Sequence, residues 1–320
     1  MKNTEIQINR KRDFSEVINA TFTFLKQEFK PLGKVIIWYA GIPIIITSII
    51  GAYYSGNELS RFFQALEGGI VDSDALVNPW LLTLLVLVSF ATSIFLTGLS
   101  ASYIKHYVYK GKGQFSSADV WNGFVPFIGP LIGLYFISFI IIMVTAAIGG
   151  IFVFGLSSLT SSTIITAIII FMGIITLVII PVVFVFVPLS MTYMPLVDEN
   201  IGVFSSIKRS FSLVFGNWWV TFGIIVIASV IVSLLGTIFS IPAFVIGAIQ
   251  GYSIATGEGA IDSRSMAVIL TTSIGSLAQY IIYPIIFVAI AIQYYSLKEQ
   301  KENPGLLQKI EEITDDSNMS

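Results

Sequence analysis

Long apolar runs separated by short polar stretches dominate this chain. The run from Ile164 to Val197 has no charged residue. A bilayer crossing needs about 20 mostly apolar residues in a helix. On that measure the pattern predicts six spans, at 34–54, 80–104, 128–153, 163–195, 217–249 and 266–296. These segments hold no Asp or Glu, and their one basic residue is Lys34 at an edge. The expected fold class is all-α, a polytopic membrane helix bundle. It divides into an N-terminal segment with an amphipathic helix (1–33), a six-span membrane domain (34–296) and a charged tail (297–320). Pro181, Pro188, Pro242 and Pro284 fall within or near the ends of the last three spans. Proline lacks a backbone donor and clashes with the preceding turn, so kinks are expected there.

The polar segment ahead of each odd-numbered span is itself patterned. Phe14, Ile18, Phe22, Leu25 and Phe29 recur at three- and four-residue steps, which is one face of a helix, with Asp13 and Glu16 spaced as a capping box. Phe115-Ser116 opens a similar stretch running to Phe127, and Phe204-Ser205 opens a third running to Trp218. Helices with an apolar stripe and basic flanks lie in the membrane interface. The pattern therefore predicts a threefold internal repeat, each unit an interfacial helix followed by a two-span hairpin.

Charge fixes the expected threading. Fifteen of the 17 Lys and Arg residues fall on one side of the six-span reading. They are Lys2, Arg10, Lys11, Arg12, Lys26, Lys30 and Lys34; then Lys105, Lys110 and Lys112; then Lys208 and Arg209; then Lys298, Lys301 and Lys309. The other side keeps Arg61 and Arg264, with Glu58, Glu67, Asp72, Asp74, Glu258 and Asp262. Positive residues stay cytoplasmic in short loops, so both termini are expected in the cytoplasm. All five Trp, together with Tyr53, Tyr54, Tyr103, Tyr107, Tyr294 and Tyr295, fall near span ends, where aromatic rings form a belt at the headgroups. The first strongly apolar run begins near Val35 after a polar stretch, which reads as an uncleaved anchor rather than a signal peptide.

Composition narrows the chemistry. The chain is 55% hydrophobic and 11% charged, against roughly 25% charged in soluble domains. It has no Cys and one His, so no thiolate site, His-rich zinc site or His-based triad can be assembled. His106 reads as an ordinary interfacial residue. Ion-coupled carriers usually place ionisable groups inside the bundle, and these spans have no acidic residue and only Lys34 at an edge. Gly129 to Gly133 and Gly247 to Gly251 match the close-approach spacing of membrane helices, a pattern expected by chance among 26 Gly. No catalytic set, cofactor site or metal site is expected, and no nucleic-acid partner. The densest polar cluster is the third basic loop, from Asp198-Glu199-Asn200 to Lys208-Arg209-Ser210. Within it, Glu199, Lys208, Arg209 and Ser210 form the candidate contact for lipid headgroups or a partner protein.

At this loop Pro195, Glu199, Gly202, Ser206, Arg209, Ser210, Leu213, Gly216 and Trp218 follow a pattern of Pro, Glu, Gly, small residue, Arg-Ser, Leu, Gly and aromatic. It resembles the membrane domain attached to some bacterial glycerophosphodiester phosphodiesterases and related stand-alone bacterial membrane proteins. The resemblance implies a bacterial cytoplasmic membrane location. It does not carry the hydrolase activity over, since the sequence after the sixth span has no room for the soluble catalytic barrel. The expected function is a non-enzymatic membrane component that organises lipid or a partner protein through its cytoplasmic face. The alternative is a permease or export component for a neutral or lipidic substrate, with Ser138, Thr145, Ser273, Gln279 and Tyr280 along a polar path.

Overall fold

A computed structural model describes residues 6–66, 79–158, 163–256 and 266–302. Glu67, Asp72, Asp74, Glu258, Asp262 and Arg264 lie outside the described residues, as do Lys2, Lys309 and the tail from 303 onward. The described backbone is helical throughout its regular elements: α1 (Phe14–Leu66), α2 (Pro79–Lys110), α3 (Ser117–Phe124), α4 (Ile128–Ser157), α5 (Thr163–Gly173), α6 (Ile180–Met191), α7 (Tyr193–Asp198), α8 (Val203–Val214), α9 (Trp218–Ala255), α10 (Met266–Ile282) and α11 (Pro284–Glu302). Six segments are long and apolar enough to cross a membrane: Phe14–Ser55, Pro79–Lys110, Ser117–Ser157, Ile164–Asp198, Trp218–Ile249 and Val268–Glu302. Inside hydrocarbon each backbone donor and acceptor needs an internal partner, which a helix supplies within itself. The fold is thus an all-α membrane-type bundle.

The prolines act unequally. A π-helical turn at Ile174–Ile179 precedes Pro181, widening the helix where the missing donor would otherwise break its ladder. The helix ends three residues past Pro188, at Met191. Pro284 starts α11 after the break at Tyr283. At Pro242, by contrast, α9 continues unbroken. The boundary expected at residue 34 is also absent: α1 runs from Phe14 through Pro31 and Pro43 as one helix.

Two compact units divide the chain. The first comprises Met1–Phe24, Ala101–Val226 and Val288–Ser320, and the second Leu25–Ser100 and Ile227–Phe287. The second has an aliphatic core that includes Leu32, Ile36, Ile44, Ile94 and Leu99. Hydroxyls tie its helices together: Thr47 and Thr92 lie 2.8 Å apart, and Ser273 donates to the Ser48 carbonyl at 3.5 Å.

In the first unit α4 packs along α5 and the π turn. Gly149 permits this, because a Cβ there would lie 2.0 Å from the Leu177 carbonyl oxygen. Gly173 plays the same part against Val153, at 2.8 Å. Small residues let membrane helices approach backbone to backbone. The rest of this hairpin faces outward: 11% of the most apolar stretch of the third candidate span is buried, and 6% of the fourth.

The three segments share a pattern at their helix starts, in a register different from the Phe-Ser pairs. Glu16 N–H donates to the Asp13 carboxylate at 2.8 Å and Asp13 N–H donates back to Glu16 at 3.2 Å, closing the expected capping box. Ser116 and Asp119 form a second box, and Gly202 caps α8 in extended geometry without a side-chain bond. Counted from these caps, the fourth and eighth residues are Val17 and Thr21, Val120 and Phe124, and Ser206 and Ser210, all buried. Phe14, Phe115 and Phe204 occupy unequal positions, the first being helical residue one, the second preceding the cap and the third being helical residue two.

The apolar stripe of the first segment is divided in the structure: Phe14, Phe22 and Phe29 are exposed, Ile18 is half-buried and Leu25 is buried, while Val17, Thr21, Phe24 and Glu28 are buried beside it.

Gly149→Ala is expected to lower thermal stability in micelles by about 1–3 kcal/mol through forced separation of the hairpin. Gly150→Ala, with open space around its Cβ, should instead be neutral or stabilising by up to about 1 kcal/mol. Paired melting curves of the two variants check this.

Candidate functional site

The third basic loop is built on a short connection between α7 and α8. Asn200 takes a left-handed φ of 53°, a conformation its short polar side chain tolerates, and Gly216 leaves α8 at φ 95°, where glycine is favoured. Between these two bends, α8 packs on α6 and α7.

Asp198, at the end of α7, has a fully buried carboxylate. It accepts hydrogen bonds from Tyr294 Oη at 2.9 Å, Tyr295 Oη at 2.7 Å and Lys298 Nζ at 2.8 Å. Glu199 lies 2.8 Å from Tyr294 Oη, so the single phenolic proton is shared between the two carboxylates. Both Glu199 oxygens lie 3.1 Å from Arg209 Nε, and the Arg209 Nη2 reaches Glu302. Tyr294, Lys298, Lys301 and Glu302 stand at helical spacing, so one face of α11 supplies the donors and closes the cluster. Lys301 bonds the carbonyls of Ser212 and Phe215, which the end of α8 leaves without helical partners. Lys105 donates to the Val197 carbonyl at 2.6 Å.

Burial works against the charge on Arg209. Hydrogen bonds and charge from Glu302 and Glu199 outweigh it and hold its pKa above the ordinary arginine value. The cluster is a set of mutually satisfied ions, the condition under which charges persist in a dry interior.

The residues singled out from sequence divide. Glu199, Arg209 and Ser210 turn inward: Ser210 Oγ donates to the Pro188 carbonyl at 2.5 Å. Lys208 is exposed and has no ion pair among the described residues. The nine-residue pattern behind the family resemblance largely coincides with this scaffold. Pro195, Ser206 and Leu213 are buried, Gly202 caps α8, and Trp218 Nε1 donates to the Phe184 carbonyl at 3.0 Å with its ring stacked 5.4 Å from Phe184.

Tyr294 and Tyr295 were expected in the aromatic belt and are instead buried donors to Asp198; Tyr103 and Tyr107 are buried too. The signal that would have found them is the spacing Tyr294-Tyr295-x-x-Lys298-x-x-Lys301-Glu302, a polar face on the end of an apolar helix. His106 places Nδ1 2.8 Å from the Ser102 carbonyl and packs its ring against Gly123, where a Cβ would meet Cε1 at 2.5 Å. That is a helix-packing role. Of the polar-path residues, Ser138 and Thr145 belong to the first unit and Ser273, Gln279 and Tyr280 to the second. Thr145 and Ser273 donate to carbonyls one turn back in their own helices.

Asp198→Asn removes the charge that Lys298 and both tyrosines address, and breaking one side of a buried pair costs about 3–5 kcal/mol. Tyr295→Phe should cost about 1 kcal/mol. Joint replacement by Asp198→Leu and Lys298→Met should recover part of the loss, as read by a double-mutant cycle of melting temperatures. No family model, curated protein or solved structure matches the chain.

Proposed function

We propose that this chain is a non-enzymatic, multi-pass protein of a bacterial cytoplasmic membrane, both termini cytoplasmic, that organises lipid at its basic face. The surface of α8 carries this reading. Its circumference has three sectors. Ser206, Ser210 and Leu213 are buried. Phe204 and Phe215, the latter just past the last turn, are each 75% exposed, with Phe211 half-buried between them. Ser205, Lys208 and Ser212 make a third, polar and exposed sector. A helix with one side on protein, one phenyl side and one hydroxyl-and-lysine side suits the boundary between headgroups and acyl chains. Exposed Trp219 follows the bend at Gly216, at the start of the next candidate span. The outward phenyl rings of α1 at Phe14 and Phe22 repeat the arrangement. The charge asymmetry and the family resemblance support the cytoplasmic assignment of this face.

Because the chain has no Cys, single cysteines can be spin-labelled cleanly. In nanodiscs, labels at 204 and 215 should be accessible to oxygen, which concentrates in lipid. Labels at 205 and 212 should meet a water-soluble nickel reagent, and a label at 206 neither. Equal nickel access at 204 and 205 would overturn the reading. Lys208→Glu should reduce retention of anionic lipid severalfold in native mass spectra while leaving the melting temperature unchanged, since Lys208 has no described ion-pair partner.

A further inference from the structure

Within the first unit, a cavity of about 470 Å³ lies beside the N-terminal turns of α1 and α9 and against α11. Its ionised lining is mostly committed elsewhere. Glu16 pairs with Arg10 at 2.6 Å, and Asp13 caps α1. The Arg12 guanidinium folds back onto the carbonyls of Ile8, at 2.6 Å, and of Gln7 and Arg10. Lys11 remains, exposed and without an ion pair among the described residues. The other polar walls are Asn217, Gln293, Ser296 and Gln300. Gln293 is 2% exposed, and its amide N–H donates to Thr221 Oγ1 at 3.2 Å. A nearly buried amide on the wall of a cavity, beside other convergent polar side chains, is what a polar ligand site offers.

The uncommitted charge of the lining is positive: Glu16 is paired with Arg10 and Asp13 caps α1, whereas Lys11 has no ion pair among the described residues. The first turn of α9 contains no acidic residue and presents the positive end of its dipole. One uncommitted lysine, with amides that both donate and accept, suits a ligand with one negative charge and hydroxyls beside it. Of the apolar walls Phe14, Val220 and Leu297, the first two are exposed, which suits a ligand continuing into acyl chains.

We propose that this cavity binds the singly anionic phosphodiester headgroup of a membrane phospholipid, with Lys11 on the phosphate and Asn217, Gln293 and Gln300 on the headgroup hydroxyls. The assignment rests on the reading of the basic face as lipid-contacting and adds a discrete, stoichiometric site to it.

The test uses the full chain in nanodiscs of phosphatidylcholine doped with phosphatidylglycerol, released into native mass spectrometry. The expected result is one phosphatidylglycerol retained per chain, with its occupancy falling about tenfold in the exposed double variant Lys11→Gln, Gln300→Ala. Gln293→Leu should lose it as well, with melting curves confirming that the variant is folded. Unchanged retention in the double variant, or equal retention of phosphatidylcholine, overturns the proposal. Dimethyl phosphate, probed by calorimetry, should show no binding at millimolar concentration; tight binding would assign the site to a soluble phosphodiester and overturn the lipid source. The Lys208→Glu variant separates the two readings: loss of diffuse anionic lipid there, with the stoichiometric lipid kept in Lys11→Gln, Gln300→Ala, sinks this site alone. The reverse pattern sinks the α8 reading alone.

Discussion

A carboxylate cut off from water cannot remain charged without partners, and Asp198 is cut off completely. Its three donors come from α11, and Glu199, the next residue, draws in Arg209 from α8. One buried charge thereby fixes α7, α8 and α11 relative to one another. The geometry of the basic loop follows from that requirement. With Glu199 and Arg209 paired and Ser210 on the Pro188 carbonyl, α8 has one rotational setting, and that setting turns Phe204 and Phe215 outward. The outward face proposed to meet lipid thus follows from an inward ionic constraint.

The spans were legible because hydropathy over twenty residues measures the same transfer energy that makes a segment prefer lipid to water. Orientation of the amphipathic stripes was less legible. Periodicity identifies a face and says nothing about what the face meets. In α1 the stripe splits: Phe14, Phe22 and Phe29 are exposed and Leu25 is buried, alongside Thr21 and Glu28. Helix register was similarly hidden. The Phe-Ser pairs matched as letters, whereas helix starts are set by side chains that satisfy free N–H groups, and these are Asp13 and Ser116 with Gly202 in the third place.

The cluster around Asp198 was half visible. Its loop residues sit close together in sequence and showed as a dense polar patch. Tyr294, Tyr295 and Lys298 lie about a hundred residues away, at the end of a segment whose apolar character and aromatic pair read as a membrane boundary. A tyrosine in a headgroup belt and a tyrosine donating to a buried carboxylate are alike in sequence; the difference is a partner that only the fold supplies. The cavity beside Lys11 was invisible for the same reason, since its walls come from the N-terminal stretch, the start of α9 and the face of α11.

The separation of 96 to 100 residues between Asp198 and its donors has a consequence during synthesis. Translation proceeds at about 5–20 residues per second, so Asp198 waits roughly 5–20 s for α11 to emerge. Arg12 waits longer for Ser296, whose hydroxyl bonds both its N–H and its carbonyl across 284 residues. Until α11 emerges, Asp198 lacks its three protein donors and the leading segment at Arg12 lacks its tie to Ser296.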